Sequence, residues 1–297
     1  MRDFIKKYYY LFHKPEFPVN IKMKLGYVFH TEEIFDQKIF QELIRFCKEY
    51  ISITGKKCIS VTMTPPNQRV EMGMKIFGCS NGEYVNRMQE LAHYAHIGFH
   101  GHFWHDPQKF EDASYDIKKH NTQYQFEILY RQFESQINWF KENNIPTNAT
   151  YSGGWWFINR DIIELLLKHG IQYDYSMSMS PNLWNPYSID LVQRNNIRFG
   201  ESFYTRIEQK KLLHIQNLHC GAEGMVFPED ATRFLNRLID PEFINLSGVL
   251  NSHDYCLDFD NTIKWIRYLI LKKQVQFLDH QELIATNISN AKVIELL

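Results

Sequence analysis

The reading of this chain turns on Ile97-Gly98-Phe99-His100-Gly101-His102-Phe103-Trp104-His105-Asp106. An apolar run that ends in a cluster of imidazoles is the pattern of a buried strand giving way to a loop. Side chains alternate faces along an extended segment, so His100 and His102 point the same way and His105 can fold back from the turn to meet them. Neutral imidazole is a favoured donor for Zn²⁺, and a catalytic zinc site takes three protein ligands and leaves one position open. The stretch therefore predicts an element, a buried strand, and a chemistry, metal binding at that strand's carboxyl end.

Working outward, strands alternate with helices. On the N-terminal side, 24–29 and 57–63 read as strands, separated by a helix from Asp36 to about Tyr50 with Ile39, Leu43, Phe46 and Cys47 at helical spacing. Pro65-Pro66 stop the second strand, 67–82 read as a loop, and 84–95 form an amphipathic helix that delivers the chain into the His100 strand. On the C-terminal side, helices are expected over 123–143, 160–168, 228–239 and 261–271, and strands over 147–151, 171–176, 211–218, 248–254 and 275–278, with 179–210 less regular. About seven such alternations predict an α/β chain with a parallel sheet closed, or nearly closed, into a barrel. All 297 residues are expected to form one domain, with its core over about 22–285 and a short arm over 1–21. In such folds the chemistry sits on loops after the strands' carboxyl ends. His30 to Glu33, His100 to His105, Ser152 to Trp155 and His253-Asp254 all fall there.

Composition removes several classes. A formal net charge of −1 supplies no global attraction for nucleic acid or anionic surfaces. Five cysteines without CxxC spacing read as reduced thiols rather than a disulfide framework, which favours the cytoplasm. The first fifteen residues place basic side chains inside their only apolar stretch, so they do not read as a signal peptide. An arm or short strand packed on the barrel is expected of them, with a peripheral contact through Lys6 to Phe12 left open. No run of about 18 apolar residues exists, so no transmembrane segment is expected.

Taken in order, a strand ending in acidic residues, Ile97-Gly98-Phe99-His100 with further histidines after it, the loop Tyr151-Ser152-Gly153-Gly154-Trp155, and Leu250-Asn251-Ser252-His253 resemble the polysaccharide deacetylase superfamily. The resemblance spans about 22–285 and implies a distorted (β/α)7-type barrel. It also implies a hydrolase that uses Zn²⁺ or another divalent metal to cleave the C–N bond of an N-acetylated sugar, here an acetylated sugar or glycan intermediate of surface-glycan biosynthesis. His30 stands at the position of the family's catalytic base, where an imidazole can equally be another ligand, and Glu32 or Glu33 at that of its metal carboxylate. His100 and His105 are expected as ligands, with His102 a third ligand or a supporting group; Trp104 occupies the family's second histidine position. Gly153 and Gly154 would let a backbone amide approach the oxyanion. Trp155 and Trp104 would meet the sugar, His253 would protonate the leaving nitrogen, and Asp254 would orient a neighbour. Both motif-one aspartates and the motif-three arginine of the family are replaced here. Two rival readings therefore stay open: a barrel without catalysis that binds glycan or a protein partner, and an amidohydrolase of the same fold acting on a non-sugar amide.

Overall fold

The computed structural model describes residues 2–16, 22–106, 111–112, 125–177, 186–198, 200–219, 229–230, 232–233, 236, 245–256, 258–271, 275–289 and 291–296. Its strands are β1 (Lys22–Thr31), β2 (Cys58–Met63), β3 (Ala95–Gly101), β4 (Trp104–Asp106), β5 (Glu111–Asp112), β6 (Thr150–Gly153), β7 (Tyr173–Asp174), β8 (Phe203–Ile207), β9 (Lys210–His214), β10 (Asn217–His219), β11 (Asn245–His253), β12 (Val275–Phe277) and β13 (Lys292–Glu295). The main sheet runs β10-β11-β1-β2-β3-β6-β7-β9-β8-β13, with β12 beside the first half of β1. All of its pairings are parallel except β8 with β9.

The parallel run returns on itself. Only Ile215 and Gln216 separate β9 from β10, and the amides of Leu213, Ile215 and Asn217 donate in turn to carbonyls of Gln172, Asp174 and Met177 along the β7 segment. The same strand then meets β11, where Asn217 pairs with Val249 and the Val249 amide donates to Gln216. With β9 and β10 as one bulged strand, seven members close the ring, and β8 and β13 splay off it. The α/β fold expected from the alternation is the one found.

Burial explains why the strand runs lack strict alternation. From Leu25 to Thr31, β1 is buried on both faces, as parallel strands covered by helices are. The helix Gln37–Thr54 starts where Asp36 accepts from the Lys38 amide and stops at Gly55, whose φ of 70° suits a left-handed cap. It lays Phe40, Leu43, Phe46, Cys47 and Tyr50 on the sheet, where Tyr27, Phe46, Tyr50 and Trp265 form an aromatic cluster.

Several elements differ from expectation. Residues Arg2–Phe12 form a helix rather than a strand or arm. The supposed loop after Pro65-Pro66 contains the helix Gln68–Phe77, capped by Asn67 and ended by Gly78. Its buried stripe is only Val70, Gly73 and Met74, too short to announce itself by periodicity. Helices Pro186–Arg194 and His280–Ile288 were likewise unforeseen, the second opened by a capping box between Asp279 and Glu282. The helix expected over 228–239 falls largely outside the described residues. Among the described residues no helix is long and apolar enough to cross a membrane.

A Cβ on Gly248 would lie 2.7 Å from the Leu218 side chain and 2.8 Å from the Gln216 carbonyl, at the seam that closes the ring. Gly248→Ala is expected to destabilise the protein by about 1–3 kcal/mol, whereas Gly82→Ala, with nothing within 4 Å, changes stability by no more than about 1 kcal/mol. Urea unfolding midpoints of the two variants check this.

Candidate metal centre

Three side chains converge where β1 and β3 end. His100 and His102, on one face of the β3 segment by its two-residue period, bring their Nε2 atoms within 3.0 Å of each other. Glu32, just past β1, sets Oε1 at 3.6 Å from His100 Nε2 and 3.5 Å from His102 Nε2. The edge of a tetrahedron around an ion with bonds of about 2.0–2.1 Å is about 3.3–3.4 Å, so this triangle fits three ligands of a zinc-sized cation. Among the described residues it is the group of His, Cys, Asp and Glu side chains whose donor atoms lie close enough to share an ion, all within 4.8 Å.

The neighbours point those donors inward. His100 Nδ1–H donates to the Ser152 carbonyl at 2.7 Å, which leaves the Nε2 lone pair facing Glu32 and His102. The β3–β6 register sets Ser152 opposite His100. Gln136 donates to the His102 carbonyl at 2.6 Å, and the His102 ring occupies the space a Cβ on Gly154 would take, 2.5 Å from that position. The second Glu32 oxygen accepts from Arg69 Nη1 at 2.6 Å, while Arg69 Nη2 reaches Glu33 at 3.1 Å. The Asp254 carboxylate accepts the amides of Glu32, Glu33 and Tyr255, so it fastens the end of β1 to the end of β11.

Two further imidazoles flank the triangle. His30 stacks on His100 with ring centres 4.0 Å apart and meets His253, its register partner on β11, edge to face at 5.1 Å. His30 Nε2 lies 2.6 Å from Ser152 Oγ and 2.8 Å from Asn251 Nδ2. His30 is fully enclosed, whereas His253 is partly exposed.

Charge follows enclosure. Burial, helped by the neighbouring His100 and His253, pulls His30 well below the ordinary imidazole value. Burial also lowers His100 to about 4, with Glu32 opposing and His102 adding to the shift. For Glu32, burial works upward, but the His102 and His100 imidazoles outweigh it and hold the carboxyl well below its usual range. Burial pushes Asp254 up to about 7 against the pull of the Glu33 and Glu32 amides.

Of the ligands expected from sequence, His100, His102 and Glu32 come together. Glu33 turns to Arg69 instead, and the His105 side chain lies outside the described residues, as does that of Trp155. Trp104 is buried, its ring 6.1 Å from His102, and its backbone is held at both N–H and C=O by Gln132. The Gly153 amide, expected to face an oxyanion, donates to Ser176 Oγ at 2.7 Å, and a Cβ there would meet the Phe157 carbonyl at 2.2 Å. The Gly153 amide is thus occupied within the fold. Sequence reading missed Arg69 and Gln136. Trp156, next to Trp155, sets its ring 6.1 Å from His30 on a backbone with φ of 56°, a strained value for a bulky residue.

No protein-family model and no curated protein matches this chain. Solved structures match it in fold. A protein of Mycobacterium smegmatis described as a polysaccharide deacetylase aligns over 93% of this chain and 94% of its own, with a TM-score of 0.58 at 10% identity. The 4-alpha-glucanotransferase from Thermococcus litoralis aligns over 93% of this chain but only 42% of its own, with a TM-score of 0.55 at 9% identity. A family 4 carbohydrate esterase from Streptomyces lividans, in complex with acetate, covers 86% of this chain and 91% of its own at a TM-score of 0.43 and 11% identity. At these identities the first two establish the architecture alone, an α/β fold shared with both.

Removing the Asp254 carboxylate strands the buried amide of Glu32 and the half-buried amide of Glu33. Asp254→Ala is expected to cost about 1–3 kcal/mol of stability for each amide left without a partner, read from the urea midpoint, whereas Glu90→Ala at an exposed helical site leaves that midpoint nearly unchanged.

Proposed function

We propose that this chain is a metal-dependent carbohydrate deacetylase, a hydrolase that cleaves the amide of an N-acetylated sugar, with Glu32, His100 and His102 holding a divalent ion. The triangle of donors at the carboxyl ends of parallel strands, with two more imidazoles beside it, carries this reading. Nitrogen donors with one carboxylate favour zinc. When bound, such an ion supplies a Lewis acid for the acetyl carbonyl and lowers the pKa of water.

The surrounding residues divide the proton work. With the Asn251 amide oriented as found, its N–H₂ donates to His30 Nε2, so the basic lone pair sits at Nε2 and the ring proton at Nδ1. Burial keeps this imidazole neutral, in the position where the resemblance expects a base. His253, which solvent reaches, gives a proton to the departing sugar nitrogen. Ser152 ties the two functions together, since its carbonyl aims His100 while its hydroxyl contacts His30. Arg69 balances the Glu32 charge in the enclosed site.

The fold is shared with a glucanotransferase, but the site argues for amide hydrolysis over sugar transfer. Glycosidic bond cleavage by a carboxylate pair needs one acid and one base or nucleophile flanking the bond. Here Glu32 is taken by Arg69 and the histidines, and both oxygens of Asp254 accept backbone amides.

Two measurements test the reading. Chelator-treated protein titrated with Zn²⁺ by calorimetry is expected to bind one ion per chain, and Glu32→Ala, His100→Ala or His102→Ala to weaken binding by more than about 100-fold. Acetate release from a panel of N-acetyl sugars is expected to vanish with chelator and return with zinc, and His253→Ala to lower kcat about 10²- to 10⁴-fold with zinc affinity kept. Zinc binding without acetate release from any sugar overturns the deacetylase assignment; no zinc binding overturns the metal centre.

A further inference from the structure

The helix Arg2–Phe12 is amphipathic with its apolar face turned away from the protein. At 100° per residue, Phe4, Ile5, Tyr8, Leu11 and Phe12 share an arc of about 120°. These five side chains are 64%, 63%, 51%, 61% and 81% exposed. The opposite side is held to the protein by polar contacts. Tyr10 donates to Asp230 at 2.5 Å, Lys6 pairs with the same carboxylate at 2.7 Å, and the Arg233 guanidinium lies over the rings of Tyr9 and Tyr10. Asn236 also donates to the carbonyl of Glu16 just beyond the helix. A helix of 11 residues is marginal in water unless its apolar face is covered, and a contiguous exposed patch of this kind marks an interaction surface.

Composition and charge identify what covers it. Between residues 2 and 14 there are four basic residues, Arg2, Lys6, Lys7 and Lys14, against one acidic, Asp3. Lys6 is committed to Asp230, while Lys7, about 40° from the edge of the apolar arc, and Lys14, just beyond the helix, are exposed. Aromatic rings with a cationic flank suit the boundary between acyl chains and anionic headgroups, where rings sit at headgroup depth and lysines reach outward to phosphate. A second copy of the helix laid on the first would instead bring like charges together. At about 1.5 Å per residue the helix spans about 17 Å, too short to cross a bilayer core of about 30 Å, so it lies along the surface. We propose that Arg2–Phe12 is an interfacial helix that docks the protein on an anionic phospholipid membrane. This rests on the helix and its flanking charges, independently of the proposed catalytic function.

The full chain tests it by flotation with phosphatidylcholine vesicles containing a quarter phosphatidylglycerol and with pure phosphatidylcholine vesicles. Wild type is expected to float with the anionic vesicles at least tenfold more than with the neutral ones, and to lose most of that binding in 0.5 M NaCl. The triple variant Phe4→Ser, Leu11→Ser, Phe12→Ser is expected to bind at least tenfold more weakly with an unchanged unfolding midpoint, since these side chains are exposed. Failure of wild type to float with either vesicle, or equal binding by the triple variant, overturns the proposal. A wild-type dimer that the triple variant converts to monomer, with no vesicle binding, overturns it in favour of self-association.

Discussion

An enclosed carboxylate sets the terms for the rest of this structure. Glu32 is 4% exposed and held ionised, and an ion taken out of water costs several kcal/mol unless charge and hydrogen bonds replace its hydration. Arg69 supplies one partner, the two imidazoles the other, and Asp254 fixes the backbone beneath it. Each of those groups comes from a different element, so satisfying one carboxylate couples β1, β3, β11 and the helix Gln68–Phe77. A cation held at the triangle of donors, as proposed, would complete that compensation, so the electrostatics and the proposed chemistry share one geometry.

The fold holds a second acid–imidazole–hydroxyl chain that serves as a contrast. Asp174 Oδ2 lies 2.7 Å from His214 Nδ1, and His214 Nε2 lies 2.8 Å from Thr205 Oγ1. By residue type this could pass for a nucleophilic relay. All three side chains are inaccessible, the His214 ring stacks on Phe203, and Asp174 also accepts the Ser176 amide. Its hydrogen bonds satisfy polar groups where β7, β8 and β9 meet. Donor geometry separates the two networks, since among the described residues only Glu32, His100 and His102 bring donor atoms close enough to share an ion.

What the sequence disclosed follows from what periodicity can encode. The alternation of strands and helices was legible because long apolar runs bounded by polar clusters survive burial on both faces, as in β1 and β3. His100 and His102 were legible as a pair because a two-residue period decides their face, and Glu32 because an acid after an apolar run marks a strand's end. Arg69 was not, since it rides a helix with three buried residues that reads as loop. The Ser152 carbonyl was hidden for a different reason: a backbone acceptor carries no residue-type signal. Gly154 yields volume to the His102 ring, a need the sequence did not disclose because volume depends on a neighbour distant in sequence.

The placement of β1 also bears on how the molecule is made. It lies beside β11 along its whole length and beside β12 over Met23–Leu25, segments more than 200 residues downstream. During synthesis β1 emerges more than 200 residues ahead of β11, so one of its edges stays unpaired until those residues follow. Such a wait exposes an apolar edge to aggregation, and in that interval β2, the nearer partner in sequence, is the strand that can cover the other edge.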